Sequence, residues 1–188
     1  MIELKEKICK EGRVIGSDIL KVDSFVNHQI DVLLMDKIAE FFKPEFNDIN
    51  KIVTIEASGI AVATSVSRVY NYAPVVFAKK TKSVLNINDV YTTKIFSFTK
   101  KTTFDCIIDK KFLKPTDKVL IVDDFLAEGN AAMGLVDLCK QAGAEVRGVA
   151  VVIEKGFQNG RKRLEAEGIK VVSAAIIKEF KNGHVILK

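Results

Sequence analysis

Residues 119–132, VLIVDDFLAEGNAA, constrain the rest of the chain more than any other stretch. An apolar run ends in two adjacent carboxylates, Asp123 and Asp124. A turn with Gly129 follows, and then Ala132, Leu135, Val136, Leu138 and Cys139 recur at helical spacing. The apolar run is too short for a helix and suits a strand buried on both faces of a parallel sheet. The loop after such a strand lies at its carboxyl end, where ligands of open α/β sheets bind. Backbone N–H groups opening the next helix favour an anion there, usually a phosphate. Two neighbouring acids repel each other unless one is protonated, so they call for hydroxyl donors or a cation. A helix cap accounts for one aspartate at this point but not for two. A loop that offers N–H groups to a phosphate and carboxylates to hydroxyls suits a phosphorylated sugar.

The flanking sequence supplies the rest of an α/β domain. Residues 2–11 predict an amphipathic helix with Ile2, Lys5, Ile8 and Cys9 along one side, stopped by Gly12. A brief apolar run and a group of hydrogen-bonding side chains, ILKVDSFVNHQ, then read as a polar loop before a helix from Asp31 to just before Pro44. KIVTI (51–55) and PVVFA (74–78) predict buried strands around a turn at Ser58-Gly59 and a helix over 60–70. Lys79, Lys80 and Lys82 leave the second of these strands, and a second anion site there is as well supported as a solvated charged loop. Residues 89–109, with Tyr91, Phe96, Phe98, Phe104 and Ile107-Ile108 around Lys100-Lys101, predict an antiparallel hairpin with a polar tip, in the manner of a mobile flap. After the central unit, 146–153 reads as a buried strand and 161–168 as a short helix. Residues 169–172, 174–177 and 184–187 read as short late strands. The alternation from 51 to 153 gives a mainly parallel sheet flanked by helices. Residues 1–188 form a single domain in this reading, with a core over 51–173 and a small hood from residues 1–50 and the C-terminal tail.

Composition removes several function classes. The chain has 188 residues, 48% of them hydrophobic, and no low-complexity run, which excludes a disordered protein. No apolar stretch is long enough for a membrane span, and the charged start MIELKEKICKEG has no signal-peptide core. The three cysteines, Cys9, Cys106 and Cys139, are far apart, which argues for a reducing cytoplasm and against zinc or a disulfide frame. The net charge of +5 is dispersed rather than gathered in one helix or tail, and favours a small polyphosphate over nucleic acid.

Taken together, these residues resemble the type I phosphoribosyltransferases, whose sugar-diphosphate motif is matched by VDDFLAEGNAA. The likeness covers essentially the whole chain. LKVDSFVNHQID, KIVTIEASGIA, PVVFAKKTKS, SFTK, KQAGA and VVIEKGFQNGR fall in the same order as in the bacterial members that use xanthine. The resemblance implies transfer of the 5-phosphoribosyl group of 5-phospho-α-D-ribose 1-diphosphate to xanthine, giving xanthosine 5′-monophosphate and pyrophosphate. By the same likeness, Asp123 and Asp124 hold the ribose hydroxyls. Ala127, Glu128, Gly129, Asn130 and Ala131 wrap the 5-phosphate with backbone N–H groups, and Ser58, Gly59, Lys79 and Lys80 take the leaving pyrophosphate. Phe125 stacks on the purine, Leu20 and Asn27 contact it, and Lys155 approaches its exocyclic oxygens. Mg²⁺ enters with the sugar diphosphate rather than on protein side chains, and the active form is a homodimer.

Glu128 departs from the expected pattern, because a carboxylate facing a phosphate is repulsive. Its side chain is therefore expected to turn outward with its N–H inward. Lys79 in place of an arginine loses bidentate geometry. Three other functions fit parts of the sequence. A non-catalytic sensor on the same fold would keep the sugar site, but residues 1–50 hold no basic recognition helix for DNA. A sibling enzyme for guanine, hypoxanthine, adenine or orotate would differ in the base-reading segment. An RNA-binding module lacks any recognised motif.

Overall fold

The computed structural model describes residues 1–16, 19–80, 89–97 and 102–188. Lys82, Phe98, Lys100 and Lys101, singled out in the basic cluster and the hairpin tip, lie outside the described residues.

A six-stranded sheet organises the chain, in the order β10-β9-β8-β7-β3-β4. Strands β3 (Lys51–Ile55), β4 (Val75–Ala78), β7 (Lys118–Leu126), β8 (Glu145–Lys155) and β9 (Val171–Lys181) are parallel, and β10 (His184–Leu187) is antiparallel at one edge. The apolar runs of β3, β7 and β8 are buried on both faces, as parallel strands under helices must be. On one face α2 (Val32–Phe42) and α3 (Gly59–Val69) pack with the N-terminal elements. On the other, α4 (Asn130–Gln141), α5 (Gly160–Ala166) and the hairpin β5 (Val90–Ser97)–β6 (Thr102–Asp109) close a second core. The periodic residues of α4, Ala132, Leu135, Val136, Leu138 and Cys139, are all buried, as their spacing predicts. Asp31 caps α2, its carboxylate accepting the Leu34 N–H at 3.0 Å.

Five expectations change. Strand β7 does not stop before the acids but runs through both to Leu126. The late stretches 169–172 and 174–177 form one continuous strand, β9. The sheet does not end near residue 173 either: β9 and β10 carry it to Leu187, so the C-terminal tail is sheet, with α1 (Ile2–Glu11) packed against it. In α1 the buried positions are Leu4 and Ile8, while Ile2 is 74% exposed and Cys9 is exposed. The buried i, i+4 pair is the part of the periodicity that reached a neighbour. Finally, the polar group after β2 (Ile19–Lys21) is not a loop. It folds as a single π-turn, Asp23–Asn27, that buries Phe25 and Val26. Such turns widen a helix by one residue and re-aim the side chains they carry. With β1 (Arg13–Ile15) and β2 it completes a hood whose apolar residues merge with the core under α2 and α3.

Candidate active site

Both acids sit in the paired part of β7, opposite β8, and are nearly inaccessible: Asp123 is 5% and Asp124 8% exposed. They face different partners. Asp124 Oδ2 accepts from the amide Nδ2 of Asn27, which the π-turn of the hood carries down onto the strand, at 2.5 Å. Asp123 Oδ1 accepts the backbone N–H of Asp124 at 3.0 Å and lies 3.0 Å from where a Cβ would stand on Gly59, the first residue of α3. Burial first, and then the charge of Asp124, push the Asp123 carboxyl well above its usual range, with Lys80 pulling the other way. Beside them the Thr54 hydroxyl is buried with no hydrogen-bond partner among the described residues. The result is a carboxylate pair pre-desolvated and ready to gain from hydroxyl donors.

Past the strand, residues 127–131 form the turn into α4. Gly129 stands at its N-cap with φ +81°, a left-handed conformation that glycine adopts without steric cost. It also lies directly on Gly160: a Cβ on Gly129 would come within 2.8 Å of the Gly160 Cα, and the Gly160 N–H donates to the Ala127 carbonyl at 3.0 Å. The Glu128 carboxylate points away toward α5, where Asn159 Nδ2 donates to it at 3.3 Å. The outward turn expected of Glu128 is the geometry found. The start of α4 thus presents a helix N-terminus whose first N–H groups and dipole favour an anion, with the Glu128 carboxylate held by Asn159.

The basic stretch divides. Lys79 exchanges both backbone hydrogen bonds with Ile107, at 3.0 Å each, and lines a groove of about 530 Å³ with Phe77, Val90, Asp109 and Phe112. Lys80 instead holds its ammonium 5.7 Å over the Phe104 ring, while its N–H donates to Glu56 Oε1 at 2.6 Å. Of the two lysines expected at the leaving group, Lys79 is bridged by its backbone to the hairpin, and Lys80 supplies a positive charge that favours the ionised form of Asp123. Ser58 and Gly59 stand where expected, at the N-terminus of α3.

A family model for the phosphoribosyl transferase domain matches residues 22–185. The chain belongs to the phosphoribosyltransferase family. Relatives of nearly equal length include xanthine phosphoribosyltransferases of Clostridium novyi and Laribacter hongkongensis, each 51% identical over 98% of both chains. That of Clostridium perfringens is 50% identical over the whole of both. Among solved structures, the adenine phosphoribosyltransferase of Rhodothermus marinus matches with a TM-score of 0.72 and 23% identity, covering 94% of this chain and 100% of that one. The Trypanosoma brucei adenine enzyme in complex with AMP, pyrophosphate and ribose-5-phosphate matches with a TM-score of 0.74 and 16% identity, over 90% and 78%. The solved structures carry the fold alone; the sequence relatives carry the family.

In this phosphoribosyltransferase the four expected base-reading positions are unequal. Asn27 reaches the acids, half-buried Phe125 packs against the hood-side core, and Lys155 ends β8 half-buried opposite Ile177. Leu20 is different: at 6% exposure it is part of the hood core, its Cδ1 3.1 Å from a Cβ position on Gly12. The stretch VVIEKGFQNGR also carries a second group, to which the sequence assigns no role. Arg161 donates to the buried Glu154 through Nε at 2.9 Å and Nη2 at 2.5 Å, Ser173 Oγ donates to the same carboxylate at 2.5 Å, and Gly160 lies directly against Gly129 in the turn before α4. Burial would raise the Glu154 pKa, but the Arg161 and Ser173 bonds outweigh it and hold the carboxyl below its usual range. Only the adjacency of Gly160 and Arg161 marked them, and adjacency gives no partner.

Proposed function

We propose that this phosphoribosyltransferase transfers the 5-phosphoribosyl group of 5-phospho-α-D-ribose 1-diphosphate to xanthine, releasing xanthosine 5′-monophosphate and pyrophosphate in purine salvage. One observation carries the chemistry. The buried pair Asp123-Asp124 stands immediately before a left-handed glycine turn that opens the N-terminus of α4. The choice of xanthine is supported by full-length relatives of that name at about half identity.

In this reading the N–H groups of residues 127–131 hold the 5-phosphate, and the ribose hydroxyls replace Asn27 as partners of Asp124. A purine nitrogen forms the new bond to C1 as the bond from C1 to the diphosphate oxygen breaks. Positive charge grows on the sugar beside the two carboxylates, and Lys80 faces the charge growing on the departing pyrophosphate. Water held off by the buried strand keeps these interactions strong. Asn27, once released, and Lys155 donate to the oxygens of xanthine, and Phe125 covers the ring face. A site that donates to a 2-oxo group pairs poorly with the amine of guanine.

The same reading includes Mg²⁺. In this reading the ion enters with the sugar diphosphate; among the described residues no three carboxylate, histidine or cysteine side chains gather into a metal site. Such an ion neutralises charge on the leaving group. No helix among the described residues is long and apolar enough to cross a membrane, and the reading places the protein in the cytoplasm, as a homodimer without nucleic-acid or membrane partners. Light scattering of the full chain checks the assembly. The deciding assay offers xanthine, guanine, hypoxanthine and adenine in parallel with the sugar diphosphate and Mg²⁺. Xanthine is expected to be strongly preferred, with turnover lost in Asp124→Asn. Preference for another base would reject the roles of Asn27 and Lys155, and no turnover with any base would reject the enzyme.

A further inference from the structure

The side chain of Asn130 has both ends of its amide engaged by protein. Its Nδ2 donates to the Phe96 carbonyl of β5 at 3.0 Å, and its Oδ1 accepts from Arg163 Nη1 of α5 at 2.6 Å. The same guanidinium nitrogen donates to the Glu128 carbonyl at 2.5 Å. These bonds fix the amide between hairpin and helix, with one of its two N–H donors committed to Phe96.

The strand it grips is itself fixed to α4. Gln141 bonds both the N–H and the carbonyl of Thr92, at 3.3 and 2.9 Å. Gly134 lets β5 lie on the helix, because a Cβ there would meet Ile95 Cδ1 at 2.6 Å. Asn130 is therefore the bond nearest the loop in a row that fastens hairpin to helix. Arg163 makes the opposite connection, from α5 to the two residues flanking Gly129.

We propose that the side chains of Asn130 and Arg163 are positioning groups for the phosphate loop, holding its N–H groups in register from the hairpin on one side and α5 on the other without themselves touching substrate. The inference rests on the proposed reaction. Its physical basis is preorganisation: N–H donors already aimed at an anion bind it without the entropy cost of ordering the loop. Arg163 is suited to the role because one planar, permanently charged group can serve two acceptors at once.

Calorimetric titration of the full chain with 5-phospho-α-D-ribose 1-diphosphate and Mg²⁺, without base, tests it. Asn130→Ala and Arg163→Ala are each expected to weaken binding about tenfold, corresponding to about 1.4 kcal/mol. The double variant should lose less than the sum of the two single losses, because the Asn130–Arg163 bond is cut by either substitution. Arg163→Lys, which keeps a charge but only a point donor, should fall between wild type and Arg163→Ala. In steady state the KM for the sugar diphosphate should rise, while the KM for xanthine at saturating sugar diphosphate stays put; a general loss of packing would move both. Unchanged binding in both alanine variants, or fully additive losses in the double variant, overturns the proposal. Failure of the wild-type chain to bind the sugar diphosphate would instead overturn the proposed function. Should an alanine variant not fold, Arg163→Lys in the same titration decides alone: wild-type affinity with it overturns the proposal.

Discussion

Asp123 is held in the fold at a cost to stability. Its carboxyl is pushed well above the ordinary 3.8 by burial and by Asp124, so the folded state favours its neutral form. The stability belonging to that form is complete below the unfolded value and is lost as pH rises toward the folded one. Asp123→Asn can keep the bond from the Asp124 N–H without the charge. The variant should match wild type near pH 4 and melt several degrees higher at neutral pH, while kcat/KM falls by about 10²-fold or more. Melting curves across that pH range check it, and a constant offset at every pH would reject the account. Gly59 presents the converse case. A Cβ there would stand 2.2 Å from Thr54 Oγ1 and 3.0 Å from Asp123 Oδ1, in a core where Thr54 cannot retreat. Gly59→Ala is expected to cost about 1–3 kcal/mol by chemical denaturation and to abolish activity by displacing Asp123.

At the scale of elements, the turn before α4, the proposed phosphate loop, depends on how α5 is seated. The buried Glu154 carboxylate takes two bonds from Arg161 and one from Ser173, and Arg161 also donates to the Val171 carbonyl at 2.9 Å. This network joins the end of β8, the start of α5 and the start of β9, the three pieces that place Gly160 under Gly129. Removing Glu154 takes two charge-assisted bonds from Arg161, which keeps Glu165 and the Val171 carbonyl as partners, so Glu154→Ala should destabilise the protein by about 1.5–3 kcal/mol. Because the Glu154 carboxyl is held below its ordinary 4.5, its contribution is present above that value and is lost as pH falls through the folded one. The gap in denaturation midpoint between wild type and variant should therefore close on acidification. A gap that widens instead would mean that the pair does not stabilise.

Across the whole molecule, the hood shares one continuous core with the sheet, since Leu4, Phe25, Met35 and Phe42 pack in the same apolar body as Leu120 and Val152. Hood and sheet are expected to unfold together, with calorimetric and van't Hoff enthalpies in agreement. Cys106 and Cys139 are buried and their thiols are pushed up to about 12, whereas Cys9 is exposed on α1. A thiol reagent should titrate one cysteine in the native protein and three in denaturant; more than one native equivalent would contradict this packing. Much of the architecture is legible in the chain itself. The doubly buried strands, the stripe of α4 and the pairing of residues 90–97 with 102–109 follow from period and composition, which are local properties. The extent of β7 was not legible, because two adjacent acids read as loop until Asn27 and the start of α3 surround them. Nor was the π-turn, since its polar side chains point to turn chemistry and only the burial of Phe25 and Val26 favours the wider helix. The division of Lys79 from Lys80 follows from the bridge between Lys79 and Ile107, which no local pattern encodes. The sequence by itself determined the elements and the chemistry of the central loop. Only the tertiary structure decided which side chains meet there, because Asn27 with Asp124, Gly129 with Gly160 and Asn130 with Arg163 are far apart along the chain and adjacent only once the sheet is assembled.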